Sequence, residues 1–115
     1  MVEVEGPGKR VRIYIGEHDK AVGSHRALWE DLLSLLRAEG AAGATMFRGL
    51  AGFGAHSHLH MARLADLAPD LPVAVEWIDM PEQIERPLPR ICELVQHGTI
   101  TLDHLTIVKH AHRAT

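Results

Sequence analysis

Three groups of residues have types and spacings that can do chemistry. His56, His58 and His60 stand at alternate positions. On an extended strand they share one face, and imidazoles so placed suit Zn²⁺, Cu²⁺ or Ni²⁺. On a helix the residues that share a face are instead His56, His60 and Arg63. No carboxylate or cysteine completes a ligand set, since Asp66 and Asp70 are the nearest acids downstream. A His-rich polar loop is therefore the plainer description of the triplet. The second group is Gly49, Gly52 and Gly54, bracketed by Arg48, His60 and Arg63. Glycines present bare backbone N–H groups, and the cationic side chains can hold a phosphate or carboxylate. The glycines do not match G-x-G-x-x-G, and no Lys-Ser/Thr follows, so neither a dinucleotide fold nor a P-loop is supported. The plainer alternative is a flexible strand exit with solvated arginines. The third group is His97-Gly98-Thr99, a helix stop whose amides can face a ligand as well as close the helix.

No catalytic set emerges beside them. Cys92 sits among Ile91, Leu94 and Val95 and reads as a packing residue. No Ser-His-Asp or Cys-His spacing can be argued, so an enzyme is not expected. A single cysteine excludes an intramolecular disulfide and a Cys-rich zinc site.

The elements that must position these residues follow from hydrophobic periodicity. Arg10 to Gly16 alternates Val11, Ile13 and Ile15 against Arg10, Arg12 and Tyr14, a half-buried strand. Met1 to Lys9 reads as a flexible leader, leaving residues 10–115 as a single domain. Leu28, Leu32, Leu35 and Leu36 predict a helix over 24–39, capped by Ser24 and closed by Gly40. Strands are expected at Gly43 to Arg48 and Pro72 to Asp79. A second helix, capped by Asp79, runs to Gln96, with a kink or late start at Pro87 and Pro89. Thr99 to Val108 makes the last strand, with a turn or bulge at Asp103–His104. The order is βαββαβ, the ferredoxin-like α+β pattern: one antiparallel sheet with two helices on one face. Nothing in a lone chain covers the other face, which points to association. Residues 49–71 form a connection far longer than compact domains normally use, and such loops are usually functional.

Composition bounds the partners. The chain has 115 residues, 46% hydrophobic and 23% charged, an ordinary globular mix. Its net charge of −3 gives no footprint for nucleic acid. Nine histidines make that charge unusually pH-sensitive. No apolar run is long enough to span a membrane, and Met1 to Gly8 does not read as a signal peptide. The expected location is cytoplasmic.

Several segments together resemble a known family. They are Ile13-Tyr14-Ile15-Gly16-Glu17, Gly43 to Gly49, Gly52-Phe53-Gly54, His60-Met61-Ala62-Arg63-Leu64, and Asp70-Leu71-Pro72-Val73 with Glu76. The series resembles the PII-like family called domain of unknown function 190, over about residues 10–108. That resemblance implies a PII-like homotrimer. Its long loop, the T-loop, senses a ligand, and an adenine nucleotide or small anion binds in clefts between subunits. It implies a non-enzymatic signalling protein whose partner is a membrane transporter. Gly52-Phe53-Gly54 matches the base of the T-loop, with Arg48, His60 and Arg63 around it. Gly98 and Thr99 of a neighbouring subunit fall at the second phosphate-binding segment. Two departures stand out. Thr99 occupies the place of the PII lysine, and Leu102-Asp103-His104 replaces a Gly-rich turn. A divalent-metal-binding trimer using His56, His58 and His60 is the competing expectation.

Overall fold

The computed structural model describes residues 2–53, 60–61 and 70–112. Its main sheet contains β1 (Val2–Gly16), β2 (Thr45–Arg48), β5 (Pro72–Asp79) and β6 (Thr99–His112), in the order β2-β5-β1-β6. All three pairings are antiparallel. Two short strands, β3 (Ala51–Gly52) and β4 (His60–Met61), pair with each other inside the long connection. The helices are α1 (Leu28–Ala38), α2 (Pro81–Glu85) and α3 (Leu88–Leu94). This is the expected α+β arrangement. Among the described residues no helix is long and apolar enough to cross a membrane.

Alternation along the central strands makes the core. Val11, Ile13 and Ile15 of β1 and Val73, Val75 and Trp77 of β5 are buried on one face. Leu28, Leu32 and Leu36, one helical repeat apart, cover them from α1, and Ile84 and Ile91 do so from α2 and α3. Aliphatic side chains and one indole thus fill the space between sheet and helices.

The local chemistry moves several boundaries from their expected places. α1 begins at Leu28 rather than beside Ser24, and its N-cap is Ala27, with no side-chain cap. The Ser24 hydroxyl is used elsewhere: it donates to Asp31 Oδ2 at 2.6 Å and accepts from the Arg26 amide. The C-terminus of α1 closes as expected. Gly40 has φ +81°, Ala41 N–H donates to the Leu36 carbonyl, and Gly40 N–H donates to that of Arg37. The second helix does more than kink. It breaks after Glu85 and restarts at Leu88, because Pro87 cannot donate to the preceding turn. Its N-cap is Met80, not Asp79. Buried Asp79 instead accepts from the Met80 and Ala42 amides, tying the α1–β2 turn to the end of β5.

The ends of β1 and β6 differ most from expectation. Val2 to Lys9, expected as a loose leader, is strand, because β6 continues to His112 and supplies its backbone partners. Pro7 is tolerated there because β5 pairs with β1 only from Lys9 onward, leaving one edge open. No turn interrupts β6 at Asp103–His104. The irregularity lies further along, where the register slips between Val4 and Gly6.

The helix-free face carries Phe47, Tyr14 and Ile78, which are 53%, 44% and 39% exposed. Two ion pairs cross it along single rungs: Arg10 with Asp103 at 2.8 Å and Arg12 with Glu76 at 2.7 Å. The Arg10 hydrogen bonds hold the Asp103 carboxyl below its usual range.

Two outcomes follow from this packing. Leu32→Ala is expected to lower stability by about 2–5 kcal/mol in urea unfolding, since the side chain is wholly enclosed. The lowered Asp103 value means its contribution is complete above the ordinary carboxylate range and fades as pH falls through the folded-state value. Asp103→Asn should therefore melt below wild type at neutral pH, with the gap closing in strong acid, as read by thermal scans across pH.

Candidate functional site

The sequence-predicted site residues that the structure describes lie at the end of the sheet where β1 stops, on two opposite edges. Arg48 is the last residue of β2, and its guanidinium is ion-paired with the Glu17 carboxylate just beyond β1. The two ends are held together by backbone as well. Gly49 N–H donates to the Pro72 carbonyl at 2.7 Å, and Glu17 N–H donates to that of Leu71 at 2.8 Å. Asp70 accepts from the His18 amide and Asp19 from the Gly16 amide, each at 2.9 Å. Gly52 pairs with His60, which sets the first rung of the β3–β4 hairpin. A Cβ on Gly52 would lie 2.9 Å from Pro72 Cγ, so close approach to a rigid ring requires glycine there. Phe53 is largely exposed beside it.

Gly98 and Thr99 occupy the opposite edge. Thr99 pairs with Tyr14, Tyr14 with Ala74, and Ala74 with Phe47, so one rung runs from β6 to β2. Three interstrand spacings, about 14 Å in all, separate its ends. A single chain therefore holds Arg48 and Gly52 apart from Gly98 and Thr99, although all lie at the same end of the sheet. Gly98 has φ +152°, and a Cβ there would sit 2.5 Å from the Tyr14 carbonyl oxygen. The turn into β6 is thus fixed by contact with β1. Gly54, His56, His58 and Arg63 lie outside the described residues, as does the side chain of His60. The expected His56/His58/His60 metal set accordingly has no described geometry. Cys92 is exposed on α3 rather than packed in the core.

Sequence reasoning assigned no role to Glu17, Asp19 or Asp70. For Glu17 and Asp70 a signal was present, since Gly16-Glu17 and Asp70-Leu71-Pro72 belong to the segments that carried the resemblance, whereas Asp19 lies outside them. What spacing alone could not supply is that those segments meet in space. Glu17 is the consequential one, because it neutralises the arginine expected to hold an anion.

The profile of the domain of unknown function 190 (DUF190, "Uncharacterized ACR") matches residues 8–107. The chain belongs to this family. Relatives include a UPF0166 protein of Methanocaldococcus jannaschii, 30% identical over 94 residues, covering 82% of this chain and 84% of the relative. Another is a UPF0166 protein of Aquifex aeolicus, 34% identical over 100 residues, covering 87% and 92%. Among solved structures the fold is that of PII-like proteins. A PII-like signalling protein from Thermus thermophilus superposes with a TM-score of 0.58 at 20% identity, covering 94% of each chain. The protein CPII of Thiomonas intermedia, solved with ADP and bicarbonate bound, gives 0.55 at 20% identity, covering 92% of this chain and 91% of its own. Of the segments that carried the resemblance, Gly16-Glu17, Gly49, Gly52-Phe53 and Asp70 to Pro72 meet at the one sheet end just described.

Gly98→Ala tests the rigidity of the second half of the site. The added methyl meets backbone that cannot rotate away, at a φ that L-residues avoid. A loss of about 1–3 kcal/mol is expected in denaturant unfolding.

Proposed function

We propose that this DUF190 protein is a regulatory subunit of PII-like kind rather than an enzyme. It binds a small anionic ligand, with adenine nucleotides and bicarbonate the first to try. The site is a cleft between subunits of a cytoplasmic homotrimer. One subunit contributes Arg48, Gly52, Phe53 and Gly54 with His60 and Arg63. Its neighbour contributes Gly98 and Thr99. Segment 49–71 then carries occupancy to a partner protein, a membrane transporter being the class the resemblance implies.

The observation that carries this reading is the split of the site across the sheet. Its halves stand on opposite edges, about three strand spacings apart. A second copy can bring one edge against the other. The exposed Phe47, Tyr14 and Ile78 give such copies an apolar surface to bury. CPII, which shares the fold, was solved with ADP and bicarbonate, which supports that ligand class. Thr99 makes the phosphate contacts differ from those of a lysine, offering a hydroxyl in place of a charge.

Arg48 makes the reading quantitative. An anion that reaches it must exchange with the Glu17 carboxylate. In calorimetric titrations with ADP, ATP, AMP and bicarbonate, Arg48→Ala should weaken the tightest ligand by about 10–100-fold, the worth of a charge-assisted hydrogen bond. Glu17→Gln should tighten it, because the guanidinium no longer has an internal partner. Sedimentation should show three chains per particle. A dilute-stable monomer silent to all four compounds would overturn the proposal.

A further inference from the structure

The turn that follows β1 is held amide by amide. Gly16 N–H donates to Asp19 Oδ2 at 2.9 Å, and Glu17 N–H donates to the Leu71 carbonyl at 2.8 Å. His18 N–H donates to Asp70 Oδ1 at 2.9 Å, and Asp19 N–H donates to the Gly16 carbonyl at 3.2 Å. The Asp19 carbonyl accepts from the Leu28 amide at 2.6 Å, which ties the turn to the start of α1. Two of these acceptors, Asp70 and Leu71, are the residues that close segment 49–71. Gly16 permits the arrangement, because a Cβ there would lie 2.9 Å from Asp19 Oδ1 and 3.2 Å from Asp70 Oδ1. Glu17 rides on this turn with its side chain 12% exposed and its carboxylate on Arg48.

We propose that Asp70 is a positioning residue for anion binding at Arg48, acting through Glu17. By fixing the His18 amide it holds the Glu17 carboxylate against the guanidinium, and the cation stays occupied until an anion displaces it. The consequence for ligands rests on the cleft reading above, whereas the hold on Arg48 does not. A carboxylate acceptor makes a stronger hydrogen bond to an amide than a neutral one does. The turn orders the Glu17 backbone when the chain folds, so the carboxylate reaches Arg48 with little further loss of freedom. The apparent affinity of an anion scales with the fraction of Arg48 that is free of Glu17. Loosening the turn therefore raises affinity, whereas damage to the fold would lower it. Residues that close segment 49–71 thus govern the cation that stands immediately before its opening end.

The test uses the full chain in two arms. In ligand-free protein labelled with ¹⁵N-arginine, the ion pair slows rotation of the Arg48 guanidinium about its Nε–Cζ bond, and exchange of the Nη signals reads that rate. Asp70→Ala should quicken it toward the rate seen in Glu17→Gln. Asp70→Asn keeps an oxygen acceptor for His18 N–H and should restore the wild-type rate, whereas an effect of charge alone would appear equally in both variants. Both should keep the wild-type circular dichroism spectrum, since Asp70 lies outside the core cluster. Asp19→Ala releases the Gly16 amide and should quicken Arg48 in the same way, which supplies the readout should Asp70→Ala unfold. In the second arm, titrated with ADP and with bicarbonate, Asp70→Ala should tighten binding about 2–10-fold, the worth of one hydrogen bond. It should have no further effect in the Glu17→Gln background. Unchanged Arg48 rotation in Asp70→Ala, equal changes in Asp70→Ala and Asp70→Asn, or weaker binding by Asp70→Ala overturns the proposal. Quickened rotation in a protein that binds neither compound overturns the cleft and leaves the role of Asp70 standing.

Discussion

Side chains alternate across a strand, and in β1 and β5 that alternation separates two surfaces of opposite character. One side holds Val11, Ile13, Ile15, Val73, Val75 and Trp77 and is sealed by helices. The other holds Arg10, Arg12, Tyr14, Glu76 and Ile78 and is left to solvent in a single chain. The register between the two strands links both sides, because the same rungs that align Val11 with Trp77 also align Arg12 with Glu76. A slip of one residue would bury the ion pair and expose the core, so the register is strongly specified. The position of Glu17 beside Arg48 follows from that register, as does the placement of Thr99 on the far edge.

The parts of the fold legible in sequence are those where periodicity and burial agree. β5 alternates cleanly, and α1 repeats leucine at every fourth position, so both were readable from residue type alone. The parts that were not legible depend on long-range partners. Val2 to Lys9 has glycines and a proline that look like a leader, yet a neighbouring strand gives its backbone a ladder. Ser24 is a good cap by type, yet Asp31 takes its hydroxyl. Asp103 and His104 look like a turn by phase, yet Arg10 and Lys9 across the rung keep both in strand.

The candidate site divides in the same way. Arg48 and Gly52 were readable as a cation and a bare-backbone glycine at a strand exit; Gly98, expected as a helix stop, instead lies in the turn into β6, because α3 ends at Leu94 with Val95 as its C-cap. Their mutual positions were not readable, since Gly98 and Arg48 are kept apart by two intervening strands. Nor was the acid beside the arginine. Glu17 follows a strand like many polar loop residues, and only pairing between β1, β5 and β2 brings it to Arg48.

That pair also bears on what kind of ligand the proposed cleft would take. The Arg48 side chain is 55% exposed while that of Glu17 is only 12% exposed. An exposed guanidinium exchanges partners at a cost of about 1 kcal/mol or less. A largely enclosed carboxylate left without its cation costs more, and must move or find another donor. Glu17 is anchored through its amide to Leu71, the residue before β5, and Gly49 beside Arg48 is anchored to Pro72. In the proposed cleft, an anion that captured Arg48 would leave the Glu17 carboxylate, rooted beside Leu71, to find another donor. An uncharged ligand would have no charge with which to displace Glu17. On that proposal the pair favours charged ligands before any contact of shape is considered.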